Sequence, residues 1–175
     1  MRIVGGRFGG RRLAASPGRS TRPTTDRVRE ALFSILGPLD GVSVLDLYAG
    51  TGALGLEALS RGAGAVTFVD RDPRAARGIT ANLAALGVHG SVRRRDVLAF
   101  LREADAGPFA LVFCDPPYSL APRLARPLTE LLPPLLSSDA RIVTESDKRR
   151  PLELALPLEL ERSYGDTRIA VHRGR

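Results

Sequence analysis

The chain has 175 residues, 43% of them hydrophobic and 26% charged, with a formal net charge of +7. That length suits one domain with its own core, and no apolar run approaches the roughly 20 residues needed to cross a bilayer as a helix, so no membrane partner is expected. A single cysteine, Cys114, excludes an intramolecular disulfide framework, and two separated histidines, His89 and His172, leave no metal-ligand cluster in the sequence.

No metal is therefore expected. The chain starts directly on the segment MRIVGGRFGG, which lacks the long apolar core of a secretory signal. With the lone cysteine, this predicts a cytoplasmic protein, and nothing in the sequence suggests an obligate dimer, so a monomer is expected. The charge is unevenly placed. Residues 1–30 carry eight arginines (Arg2, Arg7, Arg11, Arg12, Arg19, Arg22, Arg27, Arg29) against Asp26 and Glu30, a local charge of +6, with +1 left for the rest. Lys148 is the only lysine. A general preference for arginine accounts for its use over lysine but not for its crowding at one end. The crowding predicts an arm that grips phosphates, because guanidinium groups fork onto phosphate oxygens.

In chain order, residues 2–13 alternate short apolar pieces with Gly5-Gly6 and Gly9-Gly10, which predicts a small β-hairpin. Residues 14–23 read as a Ser/Pro/Gly/Arg linker. Val28, Ala31, Leu32 and Ile35 then fall at helical spacing, ended by Gly37-Pro38. From there strands over 42–48, 65–69, 91–95, 109–114 and 140–145 alternate with helices over 53–61, 73–86, 97–104 and 121–132. This pattern predicts an α/β fold with a mostly parallel, doubly wound sheet. It ends in an antiparallel hairpin over 159–164 and 167–173, joined by Gly165-Asp166. The expected division is a basic hairpin and linker over 1–24 and a main domain over 25–175.

The run Val44-Leu45-Asp46-Leu47-Tyr48-Ala49-Gly50-Thr51-Gly52-Ala53-Leu54-Gly55 reads as a strand, a glycine-rich turn and a helix. Gly50, Gly52 and Gly55 fit the dinucleotide fingerprint, and Asp70 ends the next strand at the distance where a carboxylate meets ribose hydroxyls. A nicotinamide dinucleotide is thus one reading. Two features favour a sulfonium cofactor instead. Asp46 sits inside the first strand, where its carboxylate can hold a cationic amino-acid end directly or through water. Asp96 ends the third strand, where it can meet an adenine amino group. Ligands in such sheets bind at the carboxyl ends of strands, and Asp46, Asp70, Asp96 and Asp115 all fall near such ends, although each could instead cap a helix.

Asp115-Pro116-Pro117-Tyr118 follows the fourth strand and carries the chemistry. The two prolines fix φ and supply no N–H, leaving the carbonyls of Cys114, Asp115 and Pro116 and the Asp115 carboxylate as acceptors. An aromatic amine is a poor nucleophile because its lone pair is delocalised into the ring. Acceptors aimed at its N–H hydrogens favour a pyramidal nitrogen, and Tyr118 can stack on the base. No covalent intermediate is required, so Cys114 reads as a buried strand residue. By its residues alone the tetrapeptide is equally a rigid strand-to-helix turn, and it serves exocyclic amines in general.

Four segments occur in order: Arg2-Ile3-Val4-Gly5-Gly6, the run Arg22-Pro23-Thr24-Thr25-Asp26-Arg27-Val28-Arg29-Glu30-Ala31-Leu32-Phe33, residues 45–59, and Asp115-Pro116-Pro117-Tyr118. Together they resemble the bacterial ribosomal RNA small-subunit methyltransferase D family, over essentially the whole chain. The last 60 residues match only loosely, mainly through Tyr164-Gly165-Asp166-Thr167. The resemblance implies a class I Rossmann-like methyltransferase fold. It implies methyl transfer from S-adenosylmethionine to N2 of one guanine in 16S rRNA, within the small ribosomal subunit or an assembly intermediate. The cofactor would meet Asp46, Tyr48, Gly50, Thr51, Gly52, Asp70, Arg71, Asp96 and Val97. Asp115, Pro116, Pro117 and Tyr118 would hold the guanine, and Arg7, Arg11, Arg12, Arg22, Thr24, Arg27 and Arg29 would grip RNA near the active site. The residues themselves leave open an adenine-N6 DNA methyltransferase, a protein glutamine methyltransferase, and a non-catalytic RNA-binding protein.

Overall fold

Each central strand is apolar on both of its faces, so it can be stable only between two layers. In the computed structural model, which describes residues 1–14, 25–103 and 106–175, this is the arrangement found. Strands β1 (Ser43–Leu47), β2 (Ala65–Asp70), β3 (Ser91–Arg94), β4 (Phe109–Cys114), β5 (Leu136–Asp147), β6 (Leu158–Tyr164) and β7 (Thr167–Arg173) form one sheet. Its order is β3-β2-β1-β4-β5-β7-β6. β1 to β5 pair in parallel, whereas β7 pairs antiparallel with both β5 and β6. The expected α/β fold with a terminal hairpin is present.

Alternate residues of one strand serve opposite layers. Val44 joins the core under α1 (Asp26–Leu36), α2 (Ala53–Ser60) and α3 (Pro73–Leu86). Leu45 and Leu47 join the core under α4 (Val97–Glu103) and α5 (Ala121–Leu131). Thr25 caps α1, its hydroxyl oxygen accepting from the Val28 N–H at 3.3 Å, and Asp72 caps α3 by accepting from Arg74 N–H at 2.8 Å. Such caps satisfy N–H groups that the first turn leaves without partners.

Two expected elements take another form. The segment over 2–13 is held by one isolated antiparallel bridge, Arg2 to Arg12, rather than by paired strands. Backbone bonds Ile3 N–H to Arg11 O and Leu13 N–H to Met1 O, both 2.9 Å, close its two limbs. A 3₁₀ turn at Gly6–Phe8 fills the tip, where Gly6 takes φ +74°, so the chain leaves the extended geometry a longer ladder needs. Its apolar residues Ile3, Phe8 and Leu13 join the core beneath α1 to α3. The second difference is β5, which begins at Leu136 rather than 140. Leu136 pairs with Phe109, and the register shifts before Leu111 meets Arg141. That irregularity holds polar Ser137, Ser138 and Asp139, which break the apolar run on which the expected strand was bounded.

Candidate active site

The strand ends gather the chemistry. β1 turns through Tyr48 at φ +58°, a left-handed conformation that an aromatic side chain adopts only when its surroundings impose it, at about 1–3 kcal/mol. Behind it the glycines divide the work. Gly52, at φ +76°, starts α2 as its N-cap, and a Cβ there would lie 2.9 Å from Ile79. A Cβ on Gly55 would lie 2.3 Å from Phe68 Cε1, so this glycine lets α2 lie close against β2. Turn glycine and packing glycine are the two roles that the fingerprint spacing requires.

Asp46, from the middle of β1, is 2% exposed and accepts the Gly55 N–H at 2.9 Å. Burial pushes its carboxyl up to about 8, aided by the charge of Asp70 and opposed by the Gly55 bond. Asp70 is 4% exposed, and its two oxygens accept the N–H groups of Gly50 at 2.9 Å and Asp72 at 2.8 Å.

Tyr48, Asp70, Arg71, Asp96, Val97 and Pro117 line one cleft at this edge of the sheet. Burial raises the Tyr48 phenol, keeping it neutral. Asp96 also caps α4, accepting the Ala99 N–H at 3.1 Å with one oxygen. Leu98, Leu120 and Leu124, which sequence reasoning passed over, line the same cleft. The i, i+4 spacing of Leu120 and Leu124 could have flagged one apolar helix face. Asp46, Gly50, Thr51 and Gly52 lie outside that lining, Asp46 because its side chain points to the α2 face of the sheet.

Of the tetrapeptide only Pro117 lines the cleft; Pro116 is buried, and Asp115, Pro117 and Tyr118 are half-buried. Burial is the main cause raising the Tyr118 phenol, and a hydrogen bond with the Thr167 side chain of β7 opposes it. Neighbouring Glu145 is 3% exposed at the end of β5. Cys114 is 1% exposed, and burial drives its thiol far above the range of a reactive thiolate. It is a packing residue, as read.

The basic arm is distributed differently from expectation. Arg29 is 1% exposed on α1, where its Nη2 donates to Arg2 O at 2.7 Å and to Asp26 at 2.5 Å. A buried guanidinium cannot meet RNA, and Arg29 instead pins the N-terminal segment to α1. Arg7 sits at the tip beside Asp40, Gly62 and His89, in the loops that precede β1, β2 and β3. Arg11 reaches Ala85 O at the end of α3. Both therefore lie at the sheet edge opposite the cleft, a correction to their expected place near the active site. Arg12, bridged to Arg2, and Arg27, in the first turn of α1, are exposed. Arg22 and Thr24 lie outside the described residues.

A buried carboxylate that sequence reasoning missed holds this arm. Glu57 of α2 is fully buried and accepts the N–H groups of Val4 and Gly5, each at 2.8 Å, and Arg61 Nε at 2.9 Å. Ser60 accepts from Phe8 N–H at 2.9 Å and donates to Gly5 O at 2.6 Å. Nothing in ALGLEALS distinguishes that glutamate from a solvated one. Among the described residues, no helix is long and apolar enough to cross a membrane, and no cluster of three or more His, Cys, Asp or Glu is placed to hold a metal ion.

Comparison with known proteins agrees with this geometry. The family described as Conserved hypothetical protein 95 matches residues 1–173. A putative rRNA methyltransferase of Bacillus subtilis is 39% identical over 100% of both chains. The ribosomal RNA small subunit methyltransferase D of Haemophilus influenzae is 38% identical over 87% of this chain and 81% of its own. The structure of a putative methyltransferase from Escherichia coli superposes with a TM-score of 0.84 at 35% identity, covering 99% of this chain and 97% of that one. A Rossmann-like methyltransferase fold with its cleft at the strand ends, and relatives matched along nearly the whole length, place the chain in the ribosomal RNA small-subunit methyltransferase D family.

Proposed function

We propose that this chain transfers a methyl group from S-adenosylmethionine to the exocyclic N2 of one guanine in 16S rRNA. It acts as a cytoplasmic monomer on the small ribosomal subunit or an assembly intermediate. The observation that carries the reading is the shared cleft: Pro117 of the tetrapeptide faces the same space as Asp70 and Asp96.

The residues present fit the cofactor. Asp70 lines the cleft, where ribose hydroxyls can donate to its carboxylate. Asp96 offers its second oxygen to an adenine amino group, and Tyr48, Arg71 and Val97 complete that wall. A raised carboxyl at Asp46 is ready to ionise against a cationic amino-acid end, with Gly50, Thr51 and Gly52 as the turn beside it. When bound, S-adenosylmethionine supplies an electrophilic methyl group on a sulfonium centre.

The acceptors of Asp115 and the carbonyls before the prolines take the two N–H hydrogens of the guanine amine, returning its lone pair to the nitrogen. Tyr118, its phenol kept neutral by burial, offers a ring on which the base stacks. Such groups work by orientation and by matching charge that develops in the transition state. Residues 1–24 serve as the RNA-binding arm of a methyltransferase domain over 25–175. Delivery of the base requires its extrusion from any stack, which single-stranded loops of RNA allow most cheaply.

The test is methyl transfer from labelled cofactor to 16S rRNA or small subunits from cells lacking the activity, followed by nucleoside analysis. N2-methylguanosine at one site is the expected product. N6-methyladenine in DNA or a methylated protein amide would replace the guanine reading.

A further inference from the structure

The distribution of the arm's cations leaves a question at the catalytic edge. Arg29 is buried, and Arg7 and Arg11 lie at the opposite edge. A base held against Tyr118 carries phosphates on both sides, and the ends of β5 and β7 lie near that ring. There the chain places its single lysine and two arginines in a row, Lys148-Arg149-Arg150.

The position of this turn is defined by contacts to its neighbours. Tyr118 lies close enough to Thr167, Glu145 and Asp147 for each to act on its phenol, and Thr167 is the cross-strand partner of Asp147. Lys148 follows directly, so the basic turn stands beside the Tyr118 ring, on the side away from β1 to β3. The turn is also built. Asp147 O accepts the Arg150 N–H at 3.0 Å, and the Asp147 carboxylate accepts the Arg149 N–H at 2.7 Å. Lys148 N–H donates to Asp166 O at 2.9 Å, locking the turn to the tip of the terminal hairpin. Lys148 Nζ also donates to Gly165 O at 3.0 Å, so the two arginines carry the charge most open to water. Side-chain exposure is 44% for Lys148 and 76% for Arg149, and Arg150 is exposed as well.

These cations are thinly neutralised. Lys148 and Arg149 share the one carboxylate of Asp166, at 3.4 and 3.8 Å. Exposed pairs of that length are weak and screened, so a phosphate can take over both partners with little loss. Arginine forks onto phosphate oxygens, which gives geometry as well as charge. The +1 net charge of residues 31–175 hides this cluster, because acids elsewhere cancel it in the sum.

We propose that the Lys148–Arg150 turn is a second RNA-binding surface, gripping phosphates beside the target base on the β5–β7 flank of the catalytic cleft. The inference rests on the reading of the substrate as RNA. Arg7 and Arg11 lie at the far end of the sheet, so this turn supplies cations at the cleft itself.

The experiment compares wild type with R149Q/R150Q for binding to 16S rRNA across a salt series, and separately for methyl transfer. Each lost phosphate contact lowers the slope of log K against log salt by about 0.7–0.9, so the double variant should lose about 1.5 in slope. Its RNA affinity should fall on the order of tenfold at low salt, with cofactor affinity, melting temperature and turnover at saturating RNA unchanged. R149K/R150K should restore most of the slope, since lysine also meets phosphate. A double variant with wild-type slope and affinity, in a preparation whose wild type methylates RNA, overturns this surface alone. A wild type that binds RNA without methylating it overturns the substrate reading while the slope comparison still decides the surface. A wild type that binds no RNA overturns both.

Discussion

The Asp46 carboxylate accepts the backbone N–H of Gly55 at 2.9 Å, tying the middle of β1 to the first turn of α2 beneath the glycine turn. The bond contributes less than full burial removes, so the carboxyl rests near 8 rather than near 4. Between those values the folded protein holds a proton that the unfolded chain has lost. Stability of the free protein should therefore fall as pH rises from about 4 to about 8 and then level off. Cofactor binding has the opposite trend. A cationic group beside Asp46 favours its ionised form, so affinity should rise by up to about tenfold per pH unit between 6 and 8, with proton release. Calorimetry in buffers of different ionisation enthalpy measures both. D46N should abolish the pH trend, and a trend that survives in D46N would remove Asp46 from cofactor binding.

Asp115→Ala should cut turnover by about 10²-fold or more while changing cofactor affinity little, because Asp115 lies outside the cofactor wall. Single-turnover rates and equilibrium binding separate the two. Loss of both together would show that the residue supports the cofactor site instead.

Gly55→Ala places a methyl group 2.3 Å from Phe68 Cε1, with Val66 at 2.9 Å closing the other side. Overpacking of this kind costs about 1–3 kcal/mol. Thermal unfolding should show a drop of roughly 2–4 °C per kcal/mol. An unchanged midpoint would mean that α2 can lift from β2 freely.

Arg27 and Arg29 are two residues apart and should behave differently. Arg27→Ala should lower the salt slope of RNA binding by about 0.7–0.9, since its side chain is exposed. Arg29→Ala should lower the melting temperature and leave the slope alone, because its guanidinium donates to Arg2 O and Asp26 inside the protein. A slope change in the Arg29 variant without destabilisation would return it to the RNA surface.

Much of this architecture was legible because the physics is local. Strands buried on both faces read as unbroken apolar runs, and β4 was bounded by its composition alone at Phe109–Cys114. Gly50, Gly52 and Gly55 announce a turn and a close approach by spacing. The tetrapeptide announces acceptors without donors. What escaped depends on distant partners. Arg29 and Arg27 have the same chemistry in the sequence, and only the packing of the N-terminal segment onto α1 buries one of them. Glu57 looks like any helical glutamate until Val4 and Gly5 bring two N–H groups to it. The tip's placement at the far edge follows from that clamp, which no periodicity encodes. Tyr48 gave no sign of its left-handed backbone, since the strain is set by what surrounds the turn.

The clamp at Glu57 has a practical consequence for anyone reshaping this protein. A helix of eight residues spans only about 12 Å, and Glu57 stands between the glycine turn at one end and the basic tip at the other. Trimming the first thirteen residues would leave a carboxylate in an apolar interior with neither of its backbone donors, and would strip Ile3, Phe8 and Leu13 from the core. A truncated catalytic fragment should therefore be poorly soluble rather than merely slow. Grafting the arm onto another scaffold would fail for the mirror-image reason, because the loop borrows its shape from the helix it rests on.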